Sequence, residues 1–226
     1  MIFDIGGPID LENQFEAAID ADIRTGLEAE SFPVDDDAYA EAERWAVEHF
    51  APSLYRAVIW RLTGSDIERS LRVYEGMEAR AAQRDLFELR DGIVEVLDAL
   101  KQRGLKLGLA ANQPERALAQ LEKHGIRHYF ENNGVSGVYG FRKPDVRLFL
   151  RACEDLSVQP SECIMVGDRI DNDIVPATLL GMRTLLFRTG RHRQQQPRSW
   201  DERPDAEVET VADLLPAILA LIEGAS

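Results

Sequence analysis

From Asp91 onward, short apolar runs of strand type alternate with amphipathic helical stretches. That rhythm restricts the chain to an α/β fold with a doubly wound, mostly parallel, Rossmann-like sheet. Ile93, Val96, Leu97 and Leu100 mark a helix ending near Gly104, and Leu105–Ala110 reads as a strand. The series continues with a helix from about Pro114 to His124, a helix over Asp145–Leu156 and a strand over Cys163–Val166. A helix from about Asp171 to Leu180, a strand over Arg183–Phe187 and a last helix from Thr210 complete it. The first strand lies far upstream, at Ile2–Ile5, and stops at Gly6-Gly7-Pro8.

Between that strand and Asp91 the patterning is helical throughout. Phe15, Ile19, Ile23 and Leu27 recur every fourth residue, as one face of a helix requires. A second helical stretch spans Ala38–Phe50, Pro52 opens a third, and Ser65 with Glu68 forms a capping-box signature for a fourth. The expected organisation is a core of residues 1–11 and 90–226, with a helical insert over 12–89. Ligands of open parallel sheets bind beyond the carboxyl ends of the strands. An insert leaving from such an end is expected to lie over the site as a lid.

Three strand ends carry polar residues that packing does not require: Asp4, Asn112, and Asp168 with Asp171 and Asp173 soon after. Lys143 sits ahead of a helix in Arg-Lys-Pro-Asp and is one of four lysines among 26 basic residues, so it is no part of a general lysine coat. Carboxylates brought from separate strands to one edge repel each other in a partly buried cleft. A hard cation removes that cost, and magnesium typically takes one or two carboxylates together with waters and phosphate oxygens. Singly, each residue also has a bland reading as a cap or a solvated charge; together, in this order, they point to a site.

Acidic residues outnumber basic ones 40 to 26, a net charge of −14, so neither nucleic acid nor an anionic membrane is an expected partner. Cys153 and Cys163 lie in apolar runs and read as reduced core residues, which with the lack of a signal-like N-terminus predicts a cytoplasmic protein. The four histidines form no ligand spacing, so zinc is not expected. The Arg191–Arg203 run, rich in Gln, Arg and Pro, reads as an exposed loop.

The segments Phe3-Asp4-Ile5-Gly6-Gly7, Leu109-Ala110-Ala111-Asn112, Arg142-Lys143-Pro144-Asp145 and Gly167-Asp168-Arg169-Ile170-Asp171-Asn172-Asp173 resemble the four motifs of the haloacid dehalogenase-like hydrolases. The helical block sits where that family carries its first cap domain. The resemblance implies a magnesium-dependent phosphatase acting on a small phosphorylated molecule, with Asp4 as the nucleophile that forms an aspartyl-phosphate. It further implies Mg2+ held by Asp4, the Gly6 carbonyl and Asp168, with Asp173 as a further ligand or acting through water. Lys143 would neutralise charge between Asp4 and the phosphoryl group, and backbone amides at Ala111 and Asn112 would hold phosphoryl oxygens.

The chain departs from the family pattern twice. Gly6 stands where family phosphatases carry an aspartate that protonates the leaving oxygen, and Ala111 stands in place of a Ser or Thr. General acid–base help is typically worth about 10²–10⁴-fold in rate, so the first departure matters. It leaves open a phosphatase that uses a good leaving group or another acid such as Asp10, and a catalytically impaired metal- and phosphate-binding protein. Haloacid dehalogenation needs no leaving-group acid, but the carboxylate-rich fourth segment speaks against it. A phosphonate-cleaving relative would need a lid lysine, and residues 12–89 contain none. In the insert, Trp45, His49, Tyr55, Arg56, Trp60 and Arg61 admit two readings, a grip on the substrate's far end or, preferred, tryptophans in the core with arginines at the surface.

Overall fold

The computed structural model describes residues 1–224. The chain divides into two compact units, Met1–Leu11 with Leu89–Ser226 and Glu12–Glu88. It opens with strand β1, Ile2–Phe3, both residues fully buried. It then enters the second unit, which is wholly helical: α1 over Asn13–Ala29, α2 over Asp36–Glu48, α3 over Leu54–Leu62 and α4 over Ile67–Ala81.

The four-residue spacing read in α1 is the buried stripe, for Ile19, Ile23 and Leu27 pack with Val58, Ile59, Val73 and Met77 in one apolar cluster. The fourth helix begins one residue later than the capping signature indicates. Ser65 takes a left-handed backbone (φ 66), and the Asp66 carboxylate accepts the Arg69 N–H at 3.1 Å. Trp45 packs against the apolar cluster, stacked on His49 with ring centroids 4.5 Å apart. Trp60, expected in the core, is 45% exposed, because Val58 and Ile59 take the buried face of α3. Both ends of the unit meet where Gln14 donates its backbone N–H and its Nε2 to the Glu88 carboxylate, each at 3.1 Å.

The unit's one deeply buried charge is Asp22, 5% exposed. Its carboxylate accepts from Arg84 and from Arg80 Nε (2.8 Å), and these bonds hold it below the usual carboxylate range. Both arginines are partly exposed, which discounts the ion pairs. Asp22→Ala is expected to cost about 1–3 kcal/mol, read by urea denaturation at pH 7. A depressed pKa contributes stability that is present above the unfolded value, near 4, and lost as pH falls below it. The difference between wild type and variant should therefore shrink toward pH 3.

The first unit resumes with α5, Ile93–Gln102, followed by β2 (Gly108–Leu109), α6 (Arg116–Lys123), the single turn α7 (Ser136–Tyr139) and α8 (Val146–Leu156). Then come β3 (Ile164–Gly167), a π-helical turn over Ile170–Ile174, α9 (Val175–Leu179), β4 (Arg183–Phe187), β5 (Ala206–Val208) and α10 (Val211–Glu223). All five strands are parallel, in the order β2-β1-β3-β4-β5. β1 and β3 are buried on both faces, which explains their unbroken apolar runs. Cys153 and Cys163 are buried free thiols in one core cluster, their sulfurs in contact at 3.8 Å.

Two expectations change here. A fifth strand follows the Arg191–Arg203 run and pairs Phe187 with Val208 at the sheet edge. That run is also not simply exposed, for Gln195 is 2% and Glu202 8% accessible. Among the described residues no helix is long and apolar enough to cross a membrane.

Register decides what meets at the sheet edge. Phe3 lies opposite Leu109 on one side and Val166 on the other. The residues that follow each strand, Asp4, Ala110–Ala111 and Asp168, therefore emerge together at the carboxyl end. The strand order reverses at β1, with β2 added on one side and β3, β4 and β5 on the other, the switch point at which open α/β sheets bind ligands.

Candidate active site

Asp4 directly follows β1, and its N–H still donates to the Val166 carbonyl at 2.9 Å. The carboxylate accepts the Ile5 N–H at Oδ1 (2.8 Å) and faces Lys143 Nζ at Oδ2 (2.7 Å). Lys143 Nζ also donates to Asp173 Oδ1 at 2.6 Å, and the lysine and Asp173 side chains are 1% and 0% exposed. One ammonium is thus held between two buried carboxylates. Burial, opposed by Lys143 and reinforced by repulsion from Asp173, pushes Asp4 up to about 6. Burial alone would lower the lysine, but Asp173 and Asp4 outweigh it and hold Lys143 above its ordinary value.

Asp168 follows β3 and is buried beside them. Oxygens of Asp4, Asp168 and Asp173 lie within 4.8 Å of one another. Two glycines permit this crowding. A Cβ on Gly7, whose φ is +79°, would stand 2.8 Å from Asp168 Cγ, and one on Gly167 would stand 2.3 Å from Asp173 Cγ. Three acidic groups against one lysine leave surplus negative charge, carried by hard oxygen donors, which is the donor set that suits a magnesium-like cation. Asp173 is the most committed of the three, since its Oδ2 also accepts the Arg169 N–H at 3.0 Å.

The loop after β1 folds back on itself. Asp10 donates its N–H to the Ile5 carbonyl (2.8 Å) and accepts the Gly7 N–H (2.9 Å), while Gly6 bridges Asp10. The second strand end is arranged differently from the expectation. The Ala111 amide donates to the Gly134 carbonyl at 2.9 Å, so it is already engaged and does not serve a phosphoryl oxygen. The Asn112 side chain grips the Lys143 peptide from both sides, accepting its N–H at Oδ1 (2.7 Å) and donating from Nδ2 to its carbonyl (3.0 Å). Asp4, Lys143, Asp168, Asp173 and the Gly6 loop are thus gathered at one sheet end, with Asn112 holding the lysine's backbone.

The sequence profile of the haloacid dehalogenase-like hydrolases matches residues 2–181. The chain belongs to that family. Among relatives of this haloacid dehalogenase-like hydrolase, a glyceraldehyde 3-phosphate phosphatase of Methanopyrus kandleri is 29% identical over 216 residues, covering 92% of this chain and 88% of the relative. A phosphoglycolate phosphatase of Agrobacterium fabrum is 34% identical over 128 residues, 56% of this chain and 53% of the relative. Among solved structures, a predicted phosphatase from Clostridium acetobutylicum covers 97% of both chains with a TM-score of 0.72 at 19% identity, a likeness of fold.

Sequence reasoning about this hydrolase misses Arg90. Its Nε donates to the Gly7 carbonyl (2.7 Å) and its Nη2 to Thr189 Oγ1 (2.9 Å), while the guanidinium lies over the Phe187 ring. The arginine thereby ties the loop after β1 to the end of β4. It stands between Leu89 and Asp91 in a stretch without a motif, and only its position at the return from the insert could have drawn notice.

Proposed function

We propose that the chain is a magnesium-dependent phosphatase for a small phosphorylated metabolite, with Asp4 as nucleophile. The observation that carries this reading is the buried Lys143 ammonium bonded to both Asp4 and Asp173 within a cluster of three carboxylates. The relatives' names, a glyceraldehyde 3-phosphate phosphatase and a phosphoglycolate phosphatase, support a small phosphorylated substrate.

Asp4, the Gly6 carbonyl and Asp168 would hold Mg2+, with Asp173 as a further donor or acting through water. When bound, the ion supplies positive charge that draws in phosphate oxygens and stabilises the charge of phosphoryl transfer. A carboxylate oxygen of Asp4 attacks phosphorus in line, the bond to the leaving oxygen breaks, and the phosphoryl group rests on Asp4. Lys143 keeps Asp4 ionised and oriented and offsets the negative charge that gathers there. Amides beyond the engaged Ala111, beginning with that of Asn112, would hold phosphoryl oxygens. Water then attacks phosphorus, releasing phosphate and restoring the carboxylate.

Gly6 brings no carboxyl group to the leaving oxygen. Esters whose leaving group departs as a stable anion are therefore favoured over alkyl phosphates. The expected result is phosphate release from p-nitrophenyl phosphate that requires Mg2+ and stops on chelation. Gly6→Asp should raise turnover of alkyl phosphates by about tenfold to 10³-fold, because it restores the proton donor. The loss of that donor also favours a second reading, a metal- and phosphate-binding protein without turnover. Mg2+ binding with no hydrolysis of any phosphate ester would select it.

A further inference from the structure

The stretch Gln194-Gln195-Gln196 lies in the polar run after β4, yet its middle member is 2% exposed while its neighbours face solvent. Gln195 Oε1 accepts the Ile170 N–H at 3.0 Å. Ile170 opens the π-helical turn that separates Asp168 from Asp173, and the first N–H groups of a helical turn have no partner within it. The glutamine is itself fixed from the sheet. Its N–H donates to the His192 carbonyl (2.8 Å), and its carbonyl accepts from Arg188, whose Nε is anchored on Glu207 at 2.8 Å.

Around this point three donors at the start of the turn have assigned partners. The Arg169 N–H goes to Asp173 Oδ2 (3.0 Å), the Arg169 guanidinium to Asp171, and the Ile170 N–H to Gln195. Remove the last, and a buried N–H seeks another acceptor, of which the neighbouring carboxylates are the strongest on offer. The Asp173 oxygens would then be shared between competing donors and the turn would shift.

We propose that Gln195 is a positioning residue for the metal site: its side-chain oxygen fixes the Ile170 peptide, and so holds Asp168 and Asp173 in the register that a divalent cation needs. The inference rests on the magnesium reading given above. Partners that orient metal ligands from outside typically account for about 10–100-fold in metal affinity.

The test uses the full chain stripped with a chelator, titrated calorimetrically with Mg2+, and compares wild type, Gln195→Met, Gln195→Glu and Asp168→Asn. Gln195→Met keeps the side chain's length without the acceptor and should weaken Mg2+ binding tenfold or more, alongside a modest fall of Tm in chelator from the stranded Ile170 N–H. Gln195→Glu keeps the acceptor and should recover most of that affinity. With p-nitrophenyl phosphate, the Mg2+ concentration for half-maximal rate should rise in Gln195→Met while KM for the ester holds. Mg2+ binding by Gln195→Met within twofold of wild type overturns the inference, and so does equal weakening by Met and Glu. Should the Met variant fail to fold, Gln195→Glu decides, with wild-type-like affinity in support and a tenfold loss against. If wild type binds Mg2+ no better than Asp168→Asn, the magnesium reading itself has failed, and this inference with it.

Discussion

Asp4→Asn is expected to reduce phosphate release by at least about 10³-fold while making the metal-free protein more stable. The loss follows from the assignment of Asp4 as nucleophile, because an amide oxygen cannot form the acyl-phosphate and no other group can take over the bond. The gain follows from the environment of the carboxylate. Burial and the nearby Asp173 raise Asp4 to about 6, well above the usual carboxylate range. For a carboxyl group raised on folding, the stabilisation is complete below the unfolded pKa and is lost as pH rises through the folded one. At pH 7.5 the folded protein therefore carries an ionised group it would rather keep neutral, a penalty of about 1–3 kcal/mol. Asparagine has no such penalty. Thermal denaturation in chelator at pH 7.5 should place the variant above wild type, with the gap narrowing below pH 6 and closing as pH falls toward 4. Retained hydrolysis in Asp4→Asn would remove the nucleophile assignment outright.

Lys143→Met is expected to cost both activity and fold. The substitution leaves Asp4 and Asp173 facing each other with their shared ammonium gone, at a point where the lysine and Asp173 side chains are 1% and 0% exposed. Removing one partner of a buried ion pair typically costs about 3–5 kcal/mol, because the remaining charge is stranded. Here two charges are stranded. The loss should be larger at pH 8 than at pH 5, where protonation of Asp4 relieves the repulsion, and urea denaturation at both pH values measures it. Phosphate release should fall by about 10²–10³-fold, the scale on which loss of one preorganised electrostatic group is felt. Lys143→Arg should rescue little, since a planar guanidinium cannot replace a compact ammonium between two carboxylates 2.6 and 2.7 Å away. A stability loss under about 1 kcal/mol would show that this lysine does not neutralise the cluster.

The parallel sheet was open to sequence reading because its signal is repetitive: each apolar strand is bounded by a helix with its own stripe, and several such units agree. The meeting of Asp4, Lys143 and Asp168 could be anticipated for a related reason. Asp4 and Asp168 stand directly after apolar strands, and parallel strands deliver their ends to one edge. The remainder lacked such a signal. β5 is three residues long with a glutamate at its centre, and its pairing with β4 is a tertiary fact. Gln195 looks identical to its exposed neighbours, and only the distant Ile170 N–H distinguishes it. Asn112 stood out at its strand end, yet its side chain serves the Lys143 peptide 31 residues away. The cap of α4 moved by one residue because Ser65 takes a left-handed backbone and Asp66 offers the better-placed oxygen. Local patterns report periodicity well, and report poorly on polar side chains whose partners are remote.

The two crossings between the units have a consequence for how such a chain tolerates change. Asp10 pairs with Leu89 in antiparallel fashion and the Arg90 N–H donates to the Ile9 carbonyl at 2.9 Å, so the chain leaves and re-enters the sheet unit as the two arms of a small hairpin. In chain order, the 77 residues from Glu12 to Glu88 fall between those two arms. A segment so attached can be lengthened, shortened or exchanged with little disturbance to the register of β1, because the closure sits at its base. The sheet unit can then keep its register while the inserted helices change in length or sequence.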